Sequence, residues 1–123
     1  MADMVQFELV SPERLIKAQE VEMVVIPGAE GDLGVLPGHS LLIAQMRPGV
    51  IDIHKDGKVD EQIFVASGFC EICPDRCVVL AEGAIAVNDI DKFAVEERLK
   101  LASSEIDESE LRISEAMLAA ISS

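Results

Sequence analysis

Three cysteines stand in the run Cys70-Glu-Ile-Cys73-Pro-Asp-Arg-Cys77, a spacing with the outline of a zinc or dithiol site. In a strand, residues three apart point to opposite faces, so Cys70 and Cys73 diverge. A structural zinc site also needs a fourth ligand, and no histidine lies near in sequence. With a tight turn at Pro74-Asp75, Cys70 and Cys77 share one face as small buried hydrophobes. The odd count gives no reason to expect a disulfide. His39 and His54 form no metal-binding pair, and Ser40 and Ser67 lack an obvious base and acid. The glycines at 28, 31 and 34 are spaced G-x-x-G-x-x-G, unlike either phosphate-binding fingerprint, and Glu30 and Asp32 would repel phosphate there. That loop is either one that needs positive φ or an acidic contact loop on a rigid scaffold.

The elements that must position these residues are short and closely punctuated. Pro-Gly pairs at 27, 37 and 48 bracket apolar segments, and each pair is read as a chain reversal. Val5, Phe7 and Leu9 alternate with Gln6 and Glu8, the pattern of a half-buried strand. Further strands are expected at 15–19, 21–26, 33–36, 41–46, 50–54, 63–67, 69–73 and 76–81. Asp56-Gly57 is the strongest hairpin signal, because both central residues of a type I′ turn need positive φ.

After Val87 the pattern turns helical. Asn88 is the expected cap of a first helix, with Asp89 and Asp91 in its first turn and Ile90, Phe93, Leu99, Ala102 and Ile106 as its stripe. Asp107-x-x-Glu110 reads as a capping-box start to a second helix carrying Leu111, Met117, Leu118 and Ile121. The fold class is therefore α+β: an N-terminal antiparallel β-sandwich over 1–87, then a C-terminal two-helix hairpin over 88–123. Helices this short are marginal alone, and their alanines and serines bury little apolar area, so the tail is the part expected to dislodge first.

Composition narrows the function. In 123 residues the net charge is -13, and the four aromatics are all Phe, so nucleic-acid binding is excluded as a reading. Partners with exposed Arg or Lys are favoured instead. No apolar run reaches membrane-spanning length, and the start MADMVQFELV has no look of a signal or transit peptide. These features suggest a soluble, cytoplasmic chain without direct membrane insertion.

Gly28-x-Glu30-Gly31-Asp32-Leu33-Gly34-x-Leu36-Pro37-Gly38-His39 resembles the signature of the epsilon subunits of the F-type rotary ATP synthase. Phe7-x-Leu9-Val10-Ser11-Pro12-Glu13, Arg47-Pro48-Gly49 and Ala66-Ser67-Gly68-Phe69 extend the resemblance in order, over essentially the whole chain. It implies a noncatalytic central-stalk subunit without cofactor or metal. In that family the sandwich ties the gamma subunit to the c-ring, coupling proton flow to ATP synthesis at the cytoplasmic face of the bacterial inner membrane. By the same resemblance, Glu30 and Asp32 are c-ring contacts and His39 a gamma contact. Ile90, Asp91 and Arg112 belong to regulatory helices that reach the beta subunits in some relatives.

Two departures matter. Ile90-Asp91-Lys92-Phe93 runs into Ala94-Val95, where many relatives carry Arg-Ala as part of an ATP site, so weak or absent ATP binding is expected. The second helix sets only Arg112 against Glu108, Glu110 and Glu115, a poor complement to an acidic loop of the beta subunit. The competing reading is a small β-sandwich metal or redox protein using the cysteines and histidines.

Overall fold

The structure is a computed structural model that describes residues 4–105 and 107–122. Among the described residues ten strands form one curled sheet: β1 Val5–Val10, β2 Leu15–Val21, β3 Met23–Gly28, β4 Gly31–Val35, β5 Leu42–Met46, β6 Gly49–Lys55, β7 Lys58–Val65, β8 Ser67–Ile72, β9 Arg76–Glu82 and β10 Ile85–Ala86. The order is β10-β7-β6-β3-β5-β8-β9-β1-β2, with β4 on β3. All pairs are antiparallel except β1 with β9, so the expected antiparallel sandwich carries one parallel seam.

Between the two halves, β3 and β5 share the single register pair Gly28↔Met46. There the sheet folds over on itself. At the opposite margin Lys17 of β2 pairs with Glu61 of β7 at 2.8 Å, closing the sandwich. Alternation does the rest: Val5, Phe7 and Leu9 of β1 are fully enclosed with Ile26, Ile51, Ile53, Ile72 and Val79, while their strand neighbours face out. Each such side chain contributes about 1.5–3 kcal/mol when it leaves water.

Asp56 and Gly57 have φ of 55° and 76° and make the β6–β7 turn expected of that pair. The Pro-Gly pairs behave differently from expectation. Gly38 alone of the three glycines has positive φ. Pro27 and Gly28 end β3, and Gly49 begins β6. A Cβ on Gly49 would lie 2.8 Å from the Pro27 ring, so these two pairs meet in space and the glycine serves close packing rather than chain reversal.

Two helices follow a 3₁₀ turn at Val87–Asp89: α1 Lys92–Glu105 and α2 Glu108–Ser122. The cap of α1 is Asp91, not Asn88. The Phe93 amide donates to Asp91 Oδ1 at 3.0 Å, because the intervening 3₁₀ turn and the extended Ile90 delay the helix by a turn. Asp107 caps α2 as expected, with the Glu110 amide donating to its Oδ1 at 3.0 Å. Glu110 does not reach back to complete a capping box; its carboxylate meets Arg98 of α1.

The hairpin lies on the outer face of β6 and β7. Phe64 and Ala66 are buried there with Val95 of α1 and Met117 of α2, and Val50, Ile85, Ile90 and Ile113 pack around them. This cover explains why Ile63 to Ala66 are all buried, against the alternation of a one-sided strand. On α1 the expected stripe holds except at Phe93. Ala102 is buried, Ile90 packs with the tail cluster and Leu99 is half-buried as expected, but Val95 takes the inner place and Phe93 is exposed; Ile106 lies outside the described residues.

Candidate functional site

The acid turn is built by the β3–β4 hairpin. Gly28 pairs with Gly31, and Ala29-Glu30 forms the exposed tip between them. The side of the turn is tied to the end of β5. The Ala29 amide donates to the Gln45 carbonyl at 2.8 Å, and the Arg47 amide donates to the Pro27 carbonyl at 2.9 Å. The Arg47 guanidinium then forks, donating at 2.5 Å both to the Gly28 carbonyl and to Asp32 Oδ1.

Glu30 and Asp32 thus share a turn but differ electrostatically. Arg47 offsets the charge of Asp32, whereas Glu30 has no ion pair among the described residues. Beside the turn, a groove of about 450 Å³ carries Glu30 and Asp32 on its rim and Leu33, Leu42 and Ile43 along its wall. An acidic rim over aliphatic walls suits a polypeptide segment with a cation and an apolar side chain.

His39 stands apart from that turn, on the loop between β4 and β5. The Gly38 amide donates to the Pro74 carbonyl at 2.6 Å and ties this loop to the β8–β9 connection. His39 Nδ1 lies 2.6 Å from the Ser40 carbonyl oxygen, a contact that a protonated Nδ1 satisfies. From this loop the outer face of the second half-sheet opens. Register places Gln45, Phe69, Leu80, Val10 and Leu15 in one row across β5, β8, β9, β1 and β2. Phe69 is 54% exposed, Leu80 47% and the neighbouring Ile43 70%. The tail covers the opposite face and leaves this one bare.

Sequence reasoning missed this row and missed Arg47. The row was legible in part, since Phe69 alternates out of phase with buried Cys70 and Ile72. Arg47 was quoted only as a corner residue, and its partners lie 15 and 19 positions away.

The tail residues do not converge on one ligand site. Ile90 packs with the helices on β6–β7, Asp91 caps α1, and Arg112 is exposed. Arg112 lines a cleft of about 630 Å³ between the start of α2 and the sandwich, with Glu108, Ser109, Ser67 and Arg47.

Cys70 and Cys77 face the core and Cys73 is half-buried. Burial pushes the Cys77 thiol up to about 12, helped by the neighbouring Cys70 and Cys73, and burial also raises Cys70. Protonated buried thiols are poor nucleophiles and poor ligands. Among the described residues no three His, Cys, Asp or Glu side chains gather as metal ligands, and no hydrogen bond is seen between a Ser hydroxyl or Cys thiol and a histidine ring. No described helix is long and apolar enough to cross a membrane. What the surface offers is adhesion: an acid-tipped groove and an exposed apolar row, flanked by Glu71, Glu82 and Glu8, on an uncovered sheet face.

The family model for the ATP synthase delta/epsilon chain β-sandwich domain matches residues 4–87. The ATP synthase epsilon chain of Rhodospirillum rubrum is 47% identical, with 98% of each chain covered. That of Paramagnetospirillum magneticum is 45% identical, covering 98% of this chain and 99% of its own. Among solved structures, a chain of the Euglena gracilis mitochondrial ATP synthase, determined as OSCP/F1/c-ring, superposes with a TM-score of 0.84 at 23% identity, over 96% of this chain and 81% of its own. A Tetrahymena thermophila central stalk/c-ring chain gives a TM-score of 0.62 at 11% identity, over 93% of this chain and 96% of its own. The matched sandwich domain and 47% identity over nearly the full length agree, and the chain belongs to the ATP synthase epsilon-chain family.

Proposed function

We propose that this chain is a noncatalytic rotor subunit that joins the gamma shaft to the c-ring and so couples proton flow to ATP synthesis. It would sit as a peripheral subunit at the cytoplasmic face of the bacterial inner membrane. One observation carries the reading: the two outer faces of the sandwich are unequal, one closed by its own helices and the other uncovered, with the exposed apolar row of Phe69 and Leu80 across it. A face of this kind on a chain of net charge -13 calls for a protein partner.

In this reading gamma takes the row of Phe69, Leu80 and Leu15, with His39 at its margin, and the groove at Glu30 and Asp32 receives a polar c-ring loop bearing a cation. Exposed ion pairs are individually worth about 0–1 kcal/mol, so the aliphatic walls at Leu33, Leu42 and Ile43 share the holding. Ile90, Asp91 and Arg112 belong to a tail that binds ATP weakly and inhibits hydrolysis poorly. Asp91 is engaged as a cap, and the acidic side chains of α2 outnumber its cation. Contact with the beta subunits would run through these helices.

Copurification with gamma tests the reading. Phe69→Glu with Leu80→Glu should abolish it while Cys70 and Cys77 stay protected from thiol reagents; undiminished copurification would remove the gamma assignment. Glu30→Lys with Asp32→Lys should weaken coupling of proton flow to ATP synthesis in membrane vesicles. Unaltered coupling would remove the c-ring assignment.

A further inference from the structure

Arg47 belongs to two places at once. Its guanidinium clamps the acid turn through the Gly28 carbonyl and Asp32, and the same side chain lines the cleft beneath the start of α2. Across that cleft stand Glu108, the first residue of α2, and Arg112 one turn further along. The Asp32 pair is open to water, with side chains 43% and 61% exposed, so it is individually weak. The fork of an arginine lets one nitrogen change partner while the other stays on the carbonyl.

We propose that Arg47 is a shared latch: while Asp32 holds it, the docked tail has no ion pair to the sandwich among the described residues, and when Asp32 is taken by another cation Arg47 turns to Glu108 and tightens α2 against the sandwich. Glu108 would then lie between Arg47 and Arg112 on the same helix face, at the end where a carboxylate is already favoured by the helix dipole. Ala29 of the acid turn and Gln45 line both the groove and this cleft, and Arg47 is the charged side chain that reaches from the turn to the tail. If the groove receives a cationic c-ring loop, docking there would favour the closed tail. That consequence rests on the reading above, whereas the latch itself is a property of the isolated full chain.

Amide exchange on the full chain tests it. Asp32→Asn should slow exchange at Leu111 to Ile113 about two- to fivefold, the range an exposed ion pair supports. Adding Glu108→Gln or Arg47→Gln should cancel the gain, with exchange at Ile51 in the sandwich unchanged throughout. Unchanged or faster exchange in Asp32→Asn, or slowing that survives either second substitution, would overturn the latch. The Arg47 Nε resonance gives a second readout. It should respond to Glu108→Gln in the Asp32→Asn background and not in the parent chain; the same response in both, or in neither, also overturns it. Failure to bind gamma or the c-ring would leave these results standing, so the two proposals fail separately.

Discussion

Arg98 of α1 grips Glu110 of α2, its Nη2 donating to Oε2 at 3.0 Å, while its Nη1 lies 3.7 Å from the sulfur of Met117, two turns further along the same face of α2. A single guanidinium thus ties the two helices and caps the residue that anchors them to β7. The pair is partly exposed, so water screens it. Arg98→Gln should cost about 0.5–1 kcal/mol of hairpin stability. Exchange in α1 and α2 should rise about two- to fivefold at low salt and less at high salt. An effect indifferent to salt would assign Arg98 to packing instead.

Met117 fits against Phe64, a fully enclosed side chain whose cover comes from the tail. Met117→Ala should weaken docking by roughly 2–3 kcal/mol, at the low end for a buried methionine because the site borders solvent. Exchange should accelerate throughout α2 while the amides of β1 and β8 keep their protection. Equal acceleration in sheet and helices would mean that tail and sandwich open as one unit, against the expectation that the tail dislodges first.

The strand pattern was readable because period-two alternation and turn chemistry act locally: Val5, Phe7, Leu9 and the Asp56-Gly57 turn declare themselves within a few residues. On α1 only Phe93 was misplaced, because the buried face is set by β6 and β7, which are distant in sequence, so Val95 went inside and Phe93 outside while Ala102 stayed inside. The cap was misplaced for a local reason, the 3₁₀ turn at Val87–Asp89, whose sequence also suits a helix start. At the candidate site, Glu30 and Asp32 were visible as charges on a turn. Arg47, which makes them unequal, and the row from Phe69 to Leu15 are products of register between strands far apart in the chain.

Gly68 marks where β8 and β9 approach too closely for a side chain. Its φ is 144°, and a Cβ would lie 2.0 Å from the Leu80 carbonyl oxygen. Both partners are backbone, so neither yields easily. Gly68→Ala should destabilise the sandwich by about 3 kcal/mol or more. Denaturant unfolding should show a lower midpoint with an unchanged slope. A midpoint within error of the parent would mean that the strands can spread.

The three thiols should separate by reactivity. At neutral pH a thiol reagent should label Cys73 first, and Cys70 and Cys77 only as the sandwich opens. The folded state holds its Cys77 proton up to about pH 12, above the ordinary value of 9.0, so it binds more protons than the unfolded chain in between. Stability is therefore fully present below about pH 9 and falls as pH rises toward 12, by up to about 1.4 kcal/mol per pH unit for each such thiol. Cys77→Ala should flatten that alkaline slope. A slope unmoved by the substitution would place the alkaline sensitivity elsewhere.

Removing residues 88–123 should leave the sandwich folded, because its core cluster is drawn from Val5 to Ala81 with partly buried Ala84 at its margin. The truncation strips the cover from Phe64 and Ala66, so a dye that reports apolar surface should bind the shortened chain and not the full one. In the assembled synthase the same truncation should change ATP hydrolysis by less than about twofold, a barrier change under ~0.5 kcal/mol. The reason is electrostatic. Of the charged side chains of α2, Glu110 is already held by Arg98, and Arg112 must face any acidic partner in the company of Glu108 and Glu115. Like charges near 4 Å cost on the order of 1 kcal/mol in water and more at a protein surface, which disfavours insertion of this helix beside carboxylates. A tenfold release of hydrolysis on truncation would show that α2 finds a complementary site in the catalytic head despite its charge.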